Sequence, residues 1–395
     1  MLFTQTRLLL LGITTCLLTA CGGGGGSTEN DLIDDAPAIV TPAQVRSVLD
    51  ALPLAGPEQS VAKVELGRLL FWDPILSVAQ DTACASCHHP DFDYSDGLFA
   101  SLGTGAVGLG DTRHGGARTA RNSPTLLNTA FNGLTLDGTS SQAQAPMFWD
   151  NRRLSLESQA EQPIETAEEM LGTTIAAEEA MPLLLSRLQA IDEYQVLFAN
   201  AFEGADAINR DNLLEAIASF ERSLISNNSA FDRFMRGDTN AMSELQQQGL
   251  KSFVEVGCSD CHSGPMFSDY QLHVLGAPDH LDNPNGIDSG AEERFAFRTP
   301  SLRNLANTAP YAHSGTRETL HDILNFYVAV SRGVSHNSQV SPTDIDSKAR
   351  SLGRVDSSMQ KILAFLDALN DADFDREIPT SVPSGLPVGG NIQNN

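Results

Sequence analysis

The chain is short of positive charge. Its 395 residues carry 25 Lys+Arg against 50 Asp+Glu, a formal net charge of −25. Phosphate backbones are bound by basic stripes, so this balance excludes nucleic acid as a partner. It leaves metal cations or a basic redox protein, although an acidic surface chiefly keeps a protein soluble. Cysteine is scarce too: six in a chain of this length rule out a disulfide-built scaffold. Long apolar runs are missing as well. The run from Leu8 to Ala20 counts 13 residues, whereas a membrane-spanning helix needs about 20. Methionine is absent between Met266 and Met359, which removes one class of metal ligand from that stretch. Hydrophobic residues still make up 41% and charged ones 19%, which suits a packed core over two domains of ordinary size.

The apolar run follows Arg7 and reads as an export signal. It ends in Leu18-Thr19-Ala20-Cys21, which resembles a bacterial lipobox, so Cys21 is expected to be the lipidated first residue of the mature protein. The alternative is a plain secretory signal with a chance cysteine. Gly22 after the cysteine, rather than Asp, favours the outer membrane, and several acyl chains would anchor the protein stably on the periplasmic side. Gly22 to Gly26 and the polar residues after them form a flexible tether. At the other end, Pro379, Pro383, Pro387 and Gly389-Gly390 predict a tail without fixed structure.

The four remaining cysteines repeat one pattern. Cys84-Ala85-Ser86-Cys87-His88 and Cys258-Ser259-Asp260-Cys261-His262 are both C-x-x-C-H. This spacing lets two thioethers form on haem vinyl groups from one turn of chain, with the adjacent histidine beneath the iron as proximal ligand. Zinc ribbons pair their halves some 15–20 residues apart, whereas most of a domain separates these. A disulfide has no use for the histidines. Two covalently bound c-type haems are therefore expected.

Helical periodicity dominates between and after the motifs. Leu213, Leu214, Ile217, Phe220 and Leu224 predict a helix with Asp211 as N-cap, stopped at Asn227. Thr319 and Asp322 form a capping box for a second helix reaching Val330. A third is expected from Ser358 to Leu369, and Asp91 to Asn122 and Gly133 to Pro146 read as loops. The expected fold is mostly α, with two c-type cytochrome domains. Its divisions are a signal (1–20), a tether (21–40), an N-terminal haem domain (41–207), a C-terminal haem domain (208–356), a helix packing back on the body (357–375) and the tail (376–395).

Further short motifs follow one another in a telling order. They are Arg121-Asn122-Ser123-Pro124-Thr125, Phe148-Trp149-Asp150, Leu156 to Ala160, Glu168-Glu169-Met170 and Phe220-Glu221-Arg222. Then come His262-Ser263-Gly264-Pro265, Arg298 to Asn304, and Ala309-Pro310-Tyr311-Ala312-His313-Ser314-Gly315. With the haem motifs, this order resembles the bacterial di-haem cytochrome c peroxidases, including the MauG-type enzymes, over roughly residues 55 to 370. The resemblance implies an enzyme that uses hydrogen peroxide. His88 would carry the peroxidatic haem and His262 the electron-transfer haem. Glu169 would move the proton in peroxide cleavage with Gln159 assisting, and Trp149 would conduct charge between the haems. Arg298 would lie near the haems at the domain interface, and Asn122, Thr308 and Pro310 would hold a calcium ion. Partners implied are a small redox protein (cytochrome c or a cupredoxin) or an oxidisable partner protein, and a homodimer is possible.

Two distal positions separate the subtypes. The family's usual distal methionine lies fourteen residues after the histidine of the Pro-Tyr-x-His segment. From His313 that position is Tyr327, the residue MauG-type enzymes use. A phenolate stabilises oxidised over ferrous iron, so this haem would store oxidising equivalents rather than accept electrons. His114, seven residues before Arg121, stands where reductively activated peroxidases place a removable histidine on the peroxidatic iron. The two features point in opposite directions. The first reading is therefore a peroxidase reducing peroxide to water, with a MauG-like oxidase of aromatic residues on a partner protein as the alternative. A non-enzymatic di-haem electron carrier is the third.

Overall fold

The computed structural model describes residues 40–284 and 286–393. The export signal, Cys21 and the tether up to residue 39 lie outside the described residues. Among the described residues the helices are α1 (Pro42–Val45), α2 (Val61–Trp72), α3 (Leu156–Glu165), α4 (Ala177–Gln189), α5 (Asp192–Ala201) and α6 (Arg210–Ser223). They continue with α7 (Ala230–Met235), α8 (Glu244–Val256), α9 (Leu320–Ser331), α10 (Ser347–Arg350) and α11 (Val355–Asp367). Sheet is confined to two small antiparallel pairs. β1 (Ala106–Val107) pairs with β2 (His114–Gly115), and β3 (Leu272–Val274) with β4 (Ala296–Arg298). No described helix is long and apolar enough to cross a membrane.

Local signals set the helix ends. Thr319 caps α9 as expected: its side chain accepts from the Asp322 amide, and the Asp322 carboxylate accepts from the Thr319 amide. For α6 the cap is Asn209 rather than Asp211, because the Asn209 side chain reaches the Asn212 amide at 3.0 Å. Gly257, at φ 98°, ends α8 in the left-handed region and turns the chain directly into the second C-x-x-C-H.

The cores divide the chain differently from the expected boundaries. Helix α6 does not open the C-terminal haem domain at residue 208. Its Leu213, Leu214 and Ile217 join Leu66, Leu70 and Leu184 in the N-terminal core. Conversely, Val40, Val45 and Leu49, expected in the tether and the N-terminal domain, pack with Phe231, Phe253 and Phe365 of the C-terminal core. The tail expected from residue 376 is also placed against the body. Val382 is buried with Phe71 and Trp72, Ser384 donates to Asp73 at 2.7 Å, and Gly389 donates to the Trp72 carbonyl. Gly389 in turn accepts from Ser86 inside the first attachment turn. Periodicity shows that a helix has an apolar face but not which core receives it. An extended Pro/Gly segment has no periodicity to read at all.

The two cores share one device. Helix α2 crosses α6, and α8 crosses α11, each at a glycine. A Cβ on Gly67 would lie 1.9 Å from the Ala216 carbonyl oxygen, and one on Gly249 would lie 2.0 Å from that of Lys361. Both glycines stand four residues before a buried phenylalanine, Phe71 and Phe253. Alanine ordinarily gains about 1 kcal/mol over glycine inside a helix. Here the contact is backbone, so the helices must separate, and overpacking typically costs ~1–3 kcal/mol. Gly67→Ala and Gly249→Ala are each expected to lower the melting temperature of the haem-loaded protein, as followed by circular dichroism. A rise in either would show that the helix pair yields freely.

Candidate functional site

Both C-x-x-C-H motifs fold as one tight turn. Cys84–Ser86 and Cys258–Asp260 are 3₁₀ turns, and the following histidine amides donate back to Cys84 at 3.0 Å and Cys258 at 2.9 Å. The turn thereby sets two sulfurs and one imidazole side by side. All four cysteines are free thiols. Burial pushes the Cys87 and Cys258 thiols up to about 12 and Cys84 beyond that range.

Each histidine is aimed by an aromatic residue's carbonyl. His88 Nδ1 bonds the Tyr94 oxygen at 2.9 Å, and His262 Nδ1 bonds the Phe267 oxygen at 2.9 Å. That commits Nδ1 as donor and leaves Nε2 as the ligating atom. Tyr94 and Phe267 hold φ of 60° and 54°, the left-handed region that bulky side chains avoid. Packing enforces it: the Tyr94 ring meets Phe71 at 6.2 Å, and Phe267 meets Phe231 at 5.1 Å. Burial lowers the His88 pKa to about 4 and lowers that of His262 as well, keeping both neutral for a metal. Sequence reasoning pointed to His88 and His262 but not to these carbonyls.

Glu169 lies on a single π-turn, Ala167–Leu171, directly after α3. The loop at Gly103 presses against this turn, and the Thr104 amide donates to the Glu169 carbonyl at 2.8 Å. π-turns recur at functional sites because they swing one side chain out of helical register. Removal from water pushes the Glu169 carboxyl up to about 7, Arg152 opposing and Glu168 reinforcing. Gln159, on α3, has a buried Oε1 with no partner among the described residues, and so does Glu221 Oε2 on α6. Glu169 and Glu221 both raise the pKa of Cys84, which places them around the first attachment turn.

Trp149 is held between segments from both sides of the site. Its Nε1 donates to the Asn122 carbonyl at 2.9 Å, and its own carbonyl accepts from the Arg298 amide at 2.7 Å. Arg298 Nε donates to Phe148, and burial lowers the Arg298 pKa. The Asn122 amide donates to the His313 carbonyl, bringing Asn122 to the segment that holds Thr308 and Pro310. Arg121 joins the same junction through Asp150 at 2.7 Å and Asp288 at 2.6 Å.

At the second turn, Tyr327 packs with Val340 and Val274 and meets Phe326 at 5.6 Å. Burial raises its phenol above the ordinary range, and Cys258 and Cys261 add to the effect, so the ring faces the attachment turn. His273, beside Cys261, is clamped by Asp269 at 3.1 Å and Asp346 at 2.7 Å. Asp269 above all pushes it up to about 10, so it is a fixed cation rather than a ligand. His114 stands apart from the buried groups. It is exposed on β2, with Nδ1 tied to the Thr112 carbonyl at 2.9 Å.

These residues fit two covalently held haems. Each site offers two cysteine sulfurs on one turn, an adjacent neutral imidazole, and buried polar atoms without partners among the described residues, including Arg317 Nη2 beside the Phe326 ring. Residues 61–240 match the family model described as di-haem cytochrome c peroxidase. The chain is 36% identical over 270 residues to the methylamine utilization protein MauG of Methylorubrum extorquens, covering 67% of this chain and 68% of that one. It is 32% identical over 303 residues to the cytochrome c551 peroxidase of Pseudomonas aeruginosa, covering 74% and 78%. The crystal structure of a MauG-like protein associated with microbial copper homeostasis superposes with TM-score 0.59 at 25% identity, over 85% of this chain and 95% of that one. Sites and sequence agree: the chain belongs to the di-haem cytochrome c peroxidase family, an oxidoreductase family whose membership implies two c-type haems.

Proposed function

We propose that the protein is a hydrogen-peroxide-consuming di-haem enzyme on the periplasmic side, lipid-anchored through Cys21 and active at the His88 site. The observation that carries this reading is the Glu169 carboxyl, held near neutrality beside the unpartnered Gln159 oxygen at the first attachment turn. A general acid–base works best with a pKa near the working pH. Haem iron, when bound there, supplies the coordination position and redox capacity for O–O cleavage. Glu169 takes a proton from the inner peroxide oxygen and returns it to the outer one, which leaves as water. Gln159 orients the peroxide. Trp149, tied to Asn122 and Arg298, carries charge toward the His262 site. A calcium ion on Asn122, Thr308 and Pro310 would stiffen the same junction.

Electrons would come from a small redox protein, which makes the enzyme a peroxidase. Tyr327 favours a second reading, a MauG-like oxidase of a partner protein's aromatic residues. A buried tyrosine facing Cys258 and Cys261 suits an oxidised haem better than an electron entry port. The exposed position of His114 supports an iron that needs no reductive activation in either case.

One rapid-mixing experiment tests this. Fully ferric, haem-loaded protein mixed with stoichiometric peroxide, without reductant, is expected to change its visible spectrum at once. No reaction until one electron is added would mean a histidine-capped iron, and His114 would then have to move onto it. No reaction in either state would support an electron carrier.

A further inference from the structure

Peroxide reduction needs more protons than Glu169 can recycle. Under the reading above, H₂O₂, two electrons and two protons give two waters, with the electrons taken from two molecules of a one-electron donor. Glu169 moves a proton from one peroxide oxygen to the other and ends where it began. The first water therefore leaves with no net proton uptake. The second oxygen becomes water only when two protons arrive from solvent, and the Glu169 carboxyl is itself largely removed from water.

We propose that Glu221 is the proton relay of this pocket, passing protons inward from the surface at Glu157. Glu221 lies on α6, 3% exposed, and its Oε2 has no hydrogen-bond partner among the described residues. It makes no ion pair, although an arginine is its chain neighbour. The Arg222 guanidinium is turned away, to Glu157 at 2.6 Å and to Gln142 at 2.8 Å. A buried carboxyl without a partner is costly, and an apolar side chain would avoid that cost. Its surroundings give the residue a use. Helix α3, which packs on α6, carries both the unpartnered Gln159 and Glu157, whose side chain is 32% exposed. On the inner side, Glu221 and Glu169 both act on Cys84, the residue that would tie down the peroxidatic haem.

The electrostatics suit a proton carrier. Burial pushes the Glu221 carboxyl up to about 8, with Arg222 opposing and Glu157 reinforcing. Helix α2 brings Arg68, but its guanidinium lies over the Phe220 ring at 5.0 Å and pairs with Asp375 at 2.6 Å. The attachment turn contributes only Cys84. Glu221 is thus neutral at pH 7 and can donate inward. Glu157, paired with Arg222 at the part-exposed outer end, can pass a proton from water.

The test uses the haem-loaded protein and Glu221→Gln, with Glu221→Asp as a second variant. Infrared difference spectra of wild type against Glu221→Gln should show a protonated carboxylic C=O band that titrates near pH 8, distinct from the Glu169 band near 7, and that persists in Glu169→Asp. Mixed with one equivalent of peroxide, Glu221→Gln should give the wild-type first spectral change. Its turnover with ABTS as the one-electron donor should fall about 10-fold or more, lose its dependence on a group near pH 8, and recover in part with aspartate. Unchanged turnover, or a carboxyl band titrating near pH 8 that survives in Glu221→Gln, overturns the relay alone. Loss of haem from both variants also overturns it, by assigning Glu221 a structural role. A wild-type protein inert to peroxide overturns the proposed function and the relay together.

Discussion

Glu169→Gln is expected to slow the reaction with peroxide by roughly 10²–10⁴-fold, the usual worth of a positioned acid–base group, with both haems still attached. The wild-type rate should rise with pH through about 7, because only the ionised carboxylate can take the first proton. The variant should lose that dependence. Stability separates this loss from unfolding. The folded-state pKa of Glu169 is raised above its unfolded value, so the native state holds the proton more tightly. The stabilisation from that proton is full below the ordinary glutamate pKa and is lost as pH rises through about 7. Glutamine has no such loss, so above pH 7 the variant should melt no lower than wild type. Stopped-flow absorbance and thermal melts at pH 6 and 8 measure both effects. A variant reacting within a few-fold of wild type would move the proton transfer to another buried carboxyl at this turn, Glu221 or Asp96.

What could be read in advance depended on how local the chemistry is. Thioether attachment needs two sulfurs and an imidazole on one turn, so Cys84–His88 and Cys258–His262 were legible from spacing alone. Tyr327 was found by counting along one helix, and the Thr319 capping box by two residues three apart. The histidine-aiming carbonyls were not legible. They depend on Tyr94 and Phe267 being forced to positive φ by rings from distant segments. The π-turn under Glu169 is set partly by the Gly103 loop, more than sixty residues earlier in the sequence. The docking of α6 on Gly67, and of the 382–389 segment on Trp72, are likewise long-range contacts without a periodic signal. Local pattern fixes an element's type; the partner that buries it is decided by tertiary packing.

Tyr327→Met should raise the reduction potential of the His262 haem by hundreds of millivolts, within the ~0.8 V that axial ligands span. The pocket suits the change. Tyr327 packs against the apolar core of Phe326, Val330, Val340, Ile345 and Ala349, where a flexible thioether is readily accommodated. In this pocket burial raises the phenol's pKa, so an unligated Tyr327 would remain neutral. A ferric ion reverses that preference by binding the phenolate, since a coordinated group deprotonates against the local cost. Ligation therefore predicts a strong effect of removing the hydroxyl alone. Tyr327→Phe should alter the ferric absorption spectrum and leave that iron open to added imidazole, while Tyr327→Met should make it reducible by mild donors. If the methionine variant also stops reacting with peroxide until one electron is supplied, the tyrosine is what allows the all-ferric enzyme to act. Spectroelectrochemistry on the three proteins decides this. Superimposable spectra and potentials for wild type and Tyr327→Phe would mean the ring is only packing against Phe326. The His262 haem would then take its sixth ligand elsewhere, and the peroxidase reading would stand over the MauG-like one.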